Sequence, residues 1–400
     1  MRLRRARSKA PNSASDPSHR YFAGFVPRIG LNLIFLVPGE TGGMEIYARN
    51  LIEALRRVRP EIELVAFVNR NAADAPGPWH DIEYVTVPVD SRSRVKWVLA
   101  EQLVLPPMAR RARIDLLHSP ANLAPALGRY KRILTVHDLI HRTFPDAHEG
   151  IRAKVLSVIM PLGIRRSHRL IADSRATRDD LVELLHEPAD KIDVVPLGLS
   201  EPHPERAMPE AELREKLNLG DRTIALSLSA KRPHKNLMRL LDSLASIAPD
   251  RRPLLVIPGY STWHERELSD HARELGIEDD VRILGWVSEA EIEALYAAAA
   301  LFVFPSYYEG FGLPVLEAMQ RGVPVACSNR TSLPEVAGGA ALMFDPDSHE
   351  EMASAMERLL QDGEEAERLR AAGYERARQF TWDETARLTA ESYERTLSRR

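Results

Sequence analysis

Two glutamates, Glu309 and Glu317, stand eight positions apart in PSYYEGFGLPVLEAMQRGVPV, residues 305 to 325. A carboxylate can accept hydrogen bonds from two vicinal hydroxyls, the arrangement that a sugar ring or a ribose offers. The apolar run LFVF before the loop reads as a buried strand. PVLEAMQRG after it reads as a helix, with Pro314 as its first residue and Gly322 just past its end. The loop therefore lies at the carboxyl end of a strand and at a helix N-terminus, where unpaired N–H groups and the helix dipole favour an anion. Gly310 and Gly312 let the backbone approach a phosphate or a sugar closely. Glu309 in the loop and Glu317 one turn into the helix then reach different parts of one extended ligand. Taken singly, each carboxylate is equally well explained as a solvated loop residue or as a preference of the first helical turn.

The rest of the chain supplies the scaffold for such a loop. RIGLNLIFLVPG is an almost continuous apolar run, the mark of a strand buried on both faces, and GGMEIYARNLIEALRRV carries apolar residues at helical spacing. Strand and helix then alternate through IELVAFVN, RILTVHD, RLIADS and IDVVPLG, and again from TIALSLS through PLLVIPG, VRILGW, LFVFPS and PVACS. This alternation predicts an α/β fold of two Rossmann-like parallel-sheet domains facing a cleft, and a ligand would bind in that cleft. The expected boundaries are a disordered basic tail over 1–27, an N-terminal domain over 28–200 and a Pro- and charge-rich linker over 201–220. A second such domain, carrying the Glu309 loop, is expected over 221–380. The last helix, 381–400, is expected to pack back on the N-terminal domain. Asp345, Ser348 and Thr381 are placed as N-caps.

At 400 residues the chain exceeds what one core serves, so two domains of roughly 200 residues are expected. No run approaches the roughly 20 apolar residues of a membrane span. The single cysteine, Cys327, and a start without an apolar signal core point to a reducing cytoplasm. Residues 1–200 carry 30 Lys and Arg against 22 Asp and Glu, and residues 201–400 carry 24 against 35. The basic half suits an anionic partner, although solvated helix faces account for it as well. The acidic second half and the lack of interleaved aromatic and basic residues argue against nucleic acid.

Six segments in order, PGETGGMEIYARNL, TVHDL, IADSRATRDDL, VVPLG, RPHKNL and EGFGLPVLEAMQRGVPV, resemble the retaining glycosyltransferases of family 4, or group 1. That family has the two-domain GT-B architecture, and the resemblance runs from about residue 28 over nearly the whole chain. AKRPHKN is most similar to the mannosyltransferases of bacterial surface polysaccharides. The resemblance implies a nucleotide-sugar donor, GDP-mannose first among the candidates. Glu309 would bind hydroxyls of the transferred sugar, and the backbone of Gly310, Phe311, Gly312 and Leu313 would meet the sugar and diphosphate. Glu317 would hold the ribose, Lys235 would contact the diphosphate, and Gly42 and Gly43 would lie against it once the cleft closes. His137 would sit at the reaction centre. Ala230 stands where relatives commonly have an arginine, so Lys231 or Arg232 is expected to supply that charge. Gly338 and Gly339 replace a common Gly-Asp.

The chemistry so implied is hexose transfer with retention and without a metal or other cofactor. Preorganised donors on the leaving diphosphate are the main requirement. The one D-x-D match, Asp345 and Asp347, is expected to be a turn and a cap. The acceptor is expected to be a glycan or a polyprenyl-linked sugar. SRSRVKWVLAEQLVLPPMARRAR mixes Trp97 and leucines with Arg92, Arg94, Lys96, Arg110, Arg111 and Arg113. It reads as a helix on an anionic membrane surface or, equally, as core. The competing classes are a nucleotide-sugar epimerase, a phosphorylase, and a non-catalytic nucleotide-sugar-binding protein.

Overall fold

The computed structural model describes residues 26–144 and 151–398, with backbone alone over 151–158. The expected tail therefore lies almost wholly outside the described residues. Seven strands form the first sheet: β1 (Arg28–Leu33), β2 (Glu63–Val68), β3 (Glu83–Thr86), β4 (Leu116–Ser119), β5 (Lys131–Val136), β6 (Arg169–Ala172) and β7 (Ile192–Val194). Six form the second: β8 (Ile224–Leu226), β9 (Leu254–Ile257), β10 (Val281–Ile283), β11 (Ala299–Phe304), β12 (Val325–Ser328) and β13 (Leu342–Phe344). The orders are β3-β2-β1-β4-β5-β6-β7 and β10-β9-β8-β11-β12-β13. Each neighbouring pair is parallel. The central strands are apolar on both faces because helices cover both, so β1 is buried from Ile29 to Leu33 and β5 from Arg132 to Val136.

Strand order reverses between β1 and β4 and again between β8 and β11. Ligands bind beyond the carboxyl ends of strands at such switch points. Gly42 and Gly43 follow β1, the RPHKN turn follows β8 and the EGFG loop follows β11. These three segments thus lie at the two switch points, whereas His137 follows β5, one strand further along the first sheet.

The chain crosses between domains twice, side by side. Leu199 N donates to Phe380 O at 3.1 Å, and a Cβ on Gly198 would run into the Trp382 backbone. The last helix, Trp382–Ser398, returns to pack on helix Gly43–Val58 and on β5 and β6. Tyr393, fully buried, holds the Nδ1 edge of His118 at 2.8 Å, while the other ring nitrogen meets Thr135 Oγ1 at 2.8 Å. Burial pushes the His118 imidazole down to about 3, so it is neutral.

Residues 201–220 are not a free linker throughout. Helix Glu210–Lys216 packs on helix Glu289–Ala298, with Leu213 and Leu219 buried. Its charged residues face outward around that narrow apolar stripe, so a composition that reads as linker belongs to an amphipathic helix of the second domain. Ser348 and Thr381 cap their helices, accepting from Glu351 N at 3.1 Å and Glu384 N at 3.2 Å. Asp345 does not cap a helix. It accepts from Asp347 N at 3.1 Å inside the turn.

Candidate active site

Helix Leu313–Gln320 begins where Gly312, at φ +111°, turns the chain out of β11's loop. A side chain at that φ would be strained, so glycine is the residue that permits the turn. Ser332 clamps the loop from the next connection, its hydroxyl donating to Glu309 O at 2.9 Å and Phe311 O at 2.6 Å. Glu309 points to Lys235, whose Nζ donates to Glu309 Oε1 at 2.6 Å, with both side chains largely shielded from solvent. Lys235 is set by the 3-10 turn Pro233–Lys235 and by Asn236, in left-handed conformation at φ +58°. Asn236 Nδ2 donates to Pro305 O at 3.2 Å and Pro346 O at 2.8 Å, tying the lysine turn to the end of β11.

The two glutamates have different surroundings. Glu309 faces a cation, whereas Glu317 accepts from Tyr296 Oη at 3.2 Å inside the first turns of the helix. Burial raises the Glu317 carboxyl above its ordinary range, against the opposing pull of Arg321 and the Tyr296 hydrogen bond. Arg321 donates through Nε to Glu293 Oε2 at 2.9 Å, so its charge is shared.

Of the two cations offered for the place of Ala230, the structure separates one from the other. Lys231 is fully buried, and its Nζ donates to Gly259 O at 2.6 Å and to Leu284 O. Burial lowers its amine to about 8. The lysine thus ties the ends of β9 and β10 and is corrected from ligand contact to scaffold. Arg232 lines the cleft cavity with Ala230, His234 and Lys235.

That cavity holds about 570 Å³ and is closed on the other side by His137, Asp138, Asn122 and the helix Arg94–Leu103. His137 follows β5 and is fixed from three directions. Its N donates to Asn122 Oδ1 at 2.7 Å, Nδ1 meets Asp173 Oδ2 at 2.7 Å, and Nε2 meets Pro120 O at 2.9 Å. Burial depresses the imidazole, but the Asp173 charge and these hydrogen bonds outweigh it and raise the group to about 9. With both ring nitrogens donating to oxygens of its own domain, His137 offers fixed positive charge to the cavity and no lone pair for proton abstraction.

Gly310 meets the opposite domain. A Cβ there would collide with the His137 carbonyl, and Gly310 O accepts from Ser174 Oγ at 2.7 Å and Thr177 Oγ1 at 3.1 Å. Its lack of a side chain therefore serves the contact between the two walls. Gly42, at φ +67°, precedes helix Gly43–Val58, and a Cβ on either Gly42 or Gly43 would meet nothing within 4 Å. Open backbone at this helix start suits a bulky anion. Phe311 is buried and contacts Phe380 edge-on, so of this residue only the backbone remains to meet a ligand.

Asp345 and Asp347 are both spent on Arg330, at 3.0 and 3.1 Å. Among the described residues no group of three or more His, Cys, Asp and Glu could hold a metal ion. Asn236, Tyr296, Asp173 and Ser332 support the site without having been singled out in the sequence. Only Asn236 left a signal, as the residue directly after the HK pair at a helix start.

Two family models match the chain: Glycosyltransferase Family 4 over residues 41–201 and Glycosyl transferases group 1 over residues 209–376. The O-antigen chain mannosyltransferase B of Escherichia coli is 33% identical over 266 residues, 66% of this chain and 70% of that protein. A D-inositol 3-phosphate glycosyltransferase of Thermobispora bispora is 27% identical over 403 residues, 90% of this chain and 91% of that one. Among solved structures, Anabaena HepE in complex with UDP and glucose matches at TM-score 0.69 and 21% identity, covering 92% of this chain and all of that one. WaaG, a glycosyltransferase involved in lipopolysaccharide biosynthesis, matches at TM-score 0.67 and 15% identity over 91% of this chain and 98% of that one. These structural likenesses establish the GT-B fold.

Proposed function

The chain belongs to the group 1, family 4 glycosyltransferases, and from that premise we propose that it moves mannose from GDP-mannose to a glycan or polyprenyl-linked acceptor in cell-surface polysaccharide synthesis. The observation that carries this reading is the Lys235–Glu309 pair beside the start of helix Leu313–Gln320, whose lysine lines one cavity with His137. Glu309 would take sugar hydroxyls, while Lys235, Arg232 and the open backbone of Gly42 and Gly43 would take the diphosphate. Glu317 would take the ribose. Two relatives support mannose: the O-antigen chain mannosyltransferase B and the serotype-specific mannosyltransferase WbdA of Escherichia coli, the latter 34% identical over 46% of this chain and 23% of its own length.

Transfer breaks the bond from the anomeric carbon to the diphosphate oxygen and forms one to the acceptor oxygen. The acceptor proton passes to the departing diphosphate on the same face, which gives retention. His137, protonated and doubly held, stabilises negative charge gathering nearby and does not serve as the base. Cationic side chains and helix N–H groups meet the leaving group, so no metal is required.

The acceptor would enter over helix Arg94–Leu103, whose Val95, Leu99 and Leu103 are all more than half exposed on one face. Arg94 and Lys96 flank this face, and the helix's one acid, Glu101, is buried. Such a face fits an anionic bilayer. Sedimentation with phosphatidylglycerol vesicles should carry the protein down, and Leu99→Glu with Leu103→Glu should abolish this. Unchanged sedimentation would remove the membrane contact from the reading. No helix among the described residues is long and apolar enough to cross a membrane.

The donor is tested by incubating the protein with GDP-mannose, UDP-glucose and a lipid-linked acceptor, with and without EDTA, and reading the product's anomeric coupling by NMR. The expected result is an α-mannoside formed equally with EDTA. Tight donor binding without transfer or hydrolysis would instead leave a nucleotide-sugar-binding protein.

A further inference from the structure

Tyr308 precedes the sugar-site glutamate and is 4% exposed, yet its hydroxyl belongs to the other domain's network. It donates to Asp180 Oδ2 at 2.6 Å and accepts from Leu139 N at 3.1 Å. Leu139 lies two residues after His137, and Asp180 lies in helix Arg175–Leu185, which Ser174 begins. One phenol thus touches the loop that carries His137 and the helix next to its partner Asp173, while its own backbone leads directly into Glu309.

We propose that Tyr308 is a positioning residue for the transfer, with Asp180 as its anchor: it sets the register of the Glu309 loop against the His137 loop when the two domains meet. Three neighbouring contacts follow the same seam. Ser174 Oγ and Thr177 Oγ1 hold Gly310 O, and Ala176 N donates to Glu335 Oε1 at 3.0 Å. Those contacts use backbone or a flexible carboxylate, and they fix distance more than orientation. Tyr308 joins both sides of the N-terminal wall through a rigid ring, which the Phe144 ring accompanies at 6.3 Å. Two hydrogen bonds at one oxygen, one to Asp180 and one from Leu139, leave the loop little freedom to rotate. A misplacement of about 1 Å between reacting groups costs on the order of a hundredfold in rate. When the domains part, water can satisfy each of these groups, so the arrangement favours alignment without preventing ligand exchange.

This inference rests on the assignment of Glu309 and His137 to the reaction centre, and the test separates the two. Tyr308→Phe keeps the ring and its packing and removes the hydroxyl. In full-length protein it is expected to lower kcat roughly ten- to a hundredfold, the scale of a lost hydrogen bond to a carboxylate, with nucleoside diphosphate affinity unchanged. Asp180→Ala should cause the same fall, the double variant should fall no further, and Asp180→Asn, which keeps an acceptor, should recover most of it. Independently of any donor, small-angle scattering of the ligand-free protein should show Tyr308→Phe more open than the parent. Wild-type kcat and unchanged scattering in Tyr308→Phe would overturn the proposal. So would additive losses in the double variant, or parallel losses of nucleotide affinity and melting temperature. If the parent turns over no nucleotide sugar, the reaction-centre assignment fails, and the scattering still decides whether Tyr308 sets the domain register.

Discussion

The two walls of the cleft treat their charges in opposite ways. On the N-terminal wall, His137 has both nitrogens committed to oxygens of its own domain, and its charge is a fixed part of the scaffold. On the C-terminal wall, Lys235 and Glu309 pair with each other at 2.6 Å, with the ammonium also over the Phe304 ring at 5.5 Å, and a ligand bearing hydroxyls and phosphate could engage both. One wall is prearranged against change. The other is prearranged for exchange of partners, because an ion pair with bonding capacity left over loses little when a ligand offers both a donor and an acceptor. Specificity for the donor should therefore reside on the C-terminal wall, and rate on the meeting of the two.

The largest effect that would sharpen this contrast is at Lys235. Lys235→Ala removes the charge assigned to the leaving group and should lower kcat by on the order of 10² to 10³. A loss confined to KM would show that the lysine binds without assisting departure.

On the opposite wall, Asp173→Asn tests whether His137 acts through its charge. Without the carboxylate the imidazole should fall from about 9 to or below its ordinary 6.5. At pH 7.5 at most about a tenth of the rings would then be protonated, and turnover should drop about tenfold and recover as pH is lowered. In the parent, activity should decline on the alkaline side near pH 9. The same pair contributes stability that is complete below the unfolded value of about 6.5 and is lost as pH rises through about 9. An alkaline limb that does not move in Asp173→Asn would break the assignment.

The smallest effect on turnover is expected at Lys231. Lys231→Met abandons two buried carbonyls and should cost about 1 to 3 kcal/mol of stability, measured by denaturant unfolding, while nucleoside diphosphate affinity stays as it was. A selective loss of affinity would return Lys231 to the ligand site and blur the division between the walls.

The fold was readable because a parallel sheet covered on both faces writes itself as unbroken apolar runs, as in ILTV and LFVF. The glutamates, Lys235 and the glycines were readable because they lie close together in sequence around strand ends. What escaped was three-dimensional. Nothing in KRPHKN distinguishes Lys231, folded under β9 and β10, from Arg232, which lines the cavity. Asp173 lies 36 residues from His137 and meets it only because β5 and β6 are neighbours. Gly310 reads locally as room for a ligand, whereas its contact is a carbonyl of the other domain. The helix Glu210–Lys216 was hidden by its own charge, since Leu213 supplies too little apolar signal among EAELREK.

Calorimetry with nucleoside diphosphate and with intact nucleotide sugar, on Glu309→Ala and Glu317→Ala, tests most directly whether the C-terminal wall divides one extended ligand between its two carboxylates. Glu317→Ala should weaken both ligands alike, by about 1.5 to 3 kcal/mol, because the ribose is common to them. Glu309→Ala should leave the nucleoside diphosphate nearly unaffected and weaken the nucleotide sugar, with circular dichroism confirming that each variant is folded. Equal losses for both ligands in both variants would contradict the division and reduce the carboxylates to organisers of the loop.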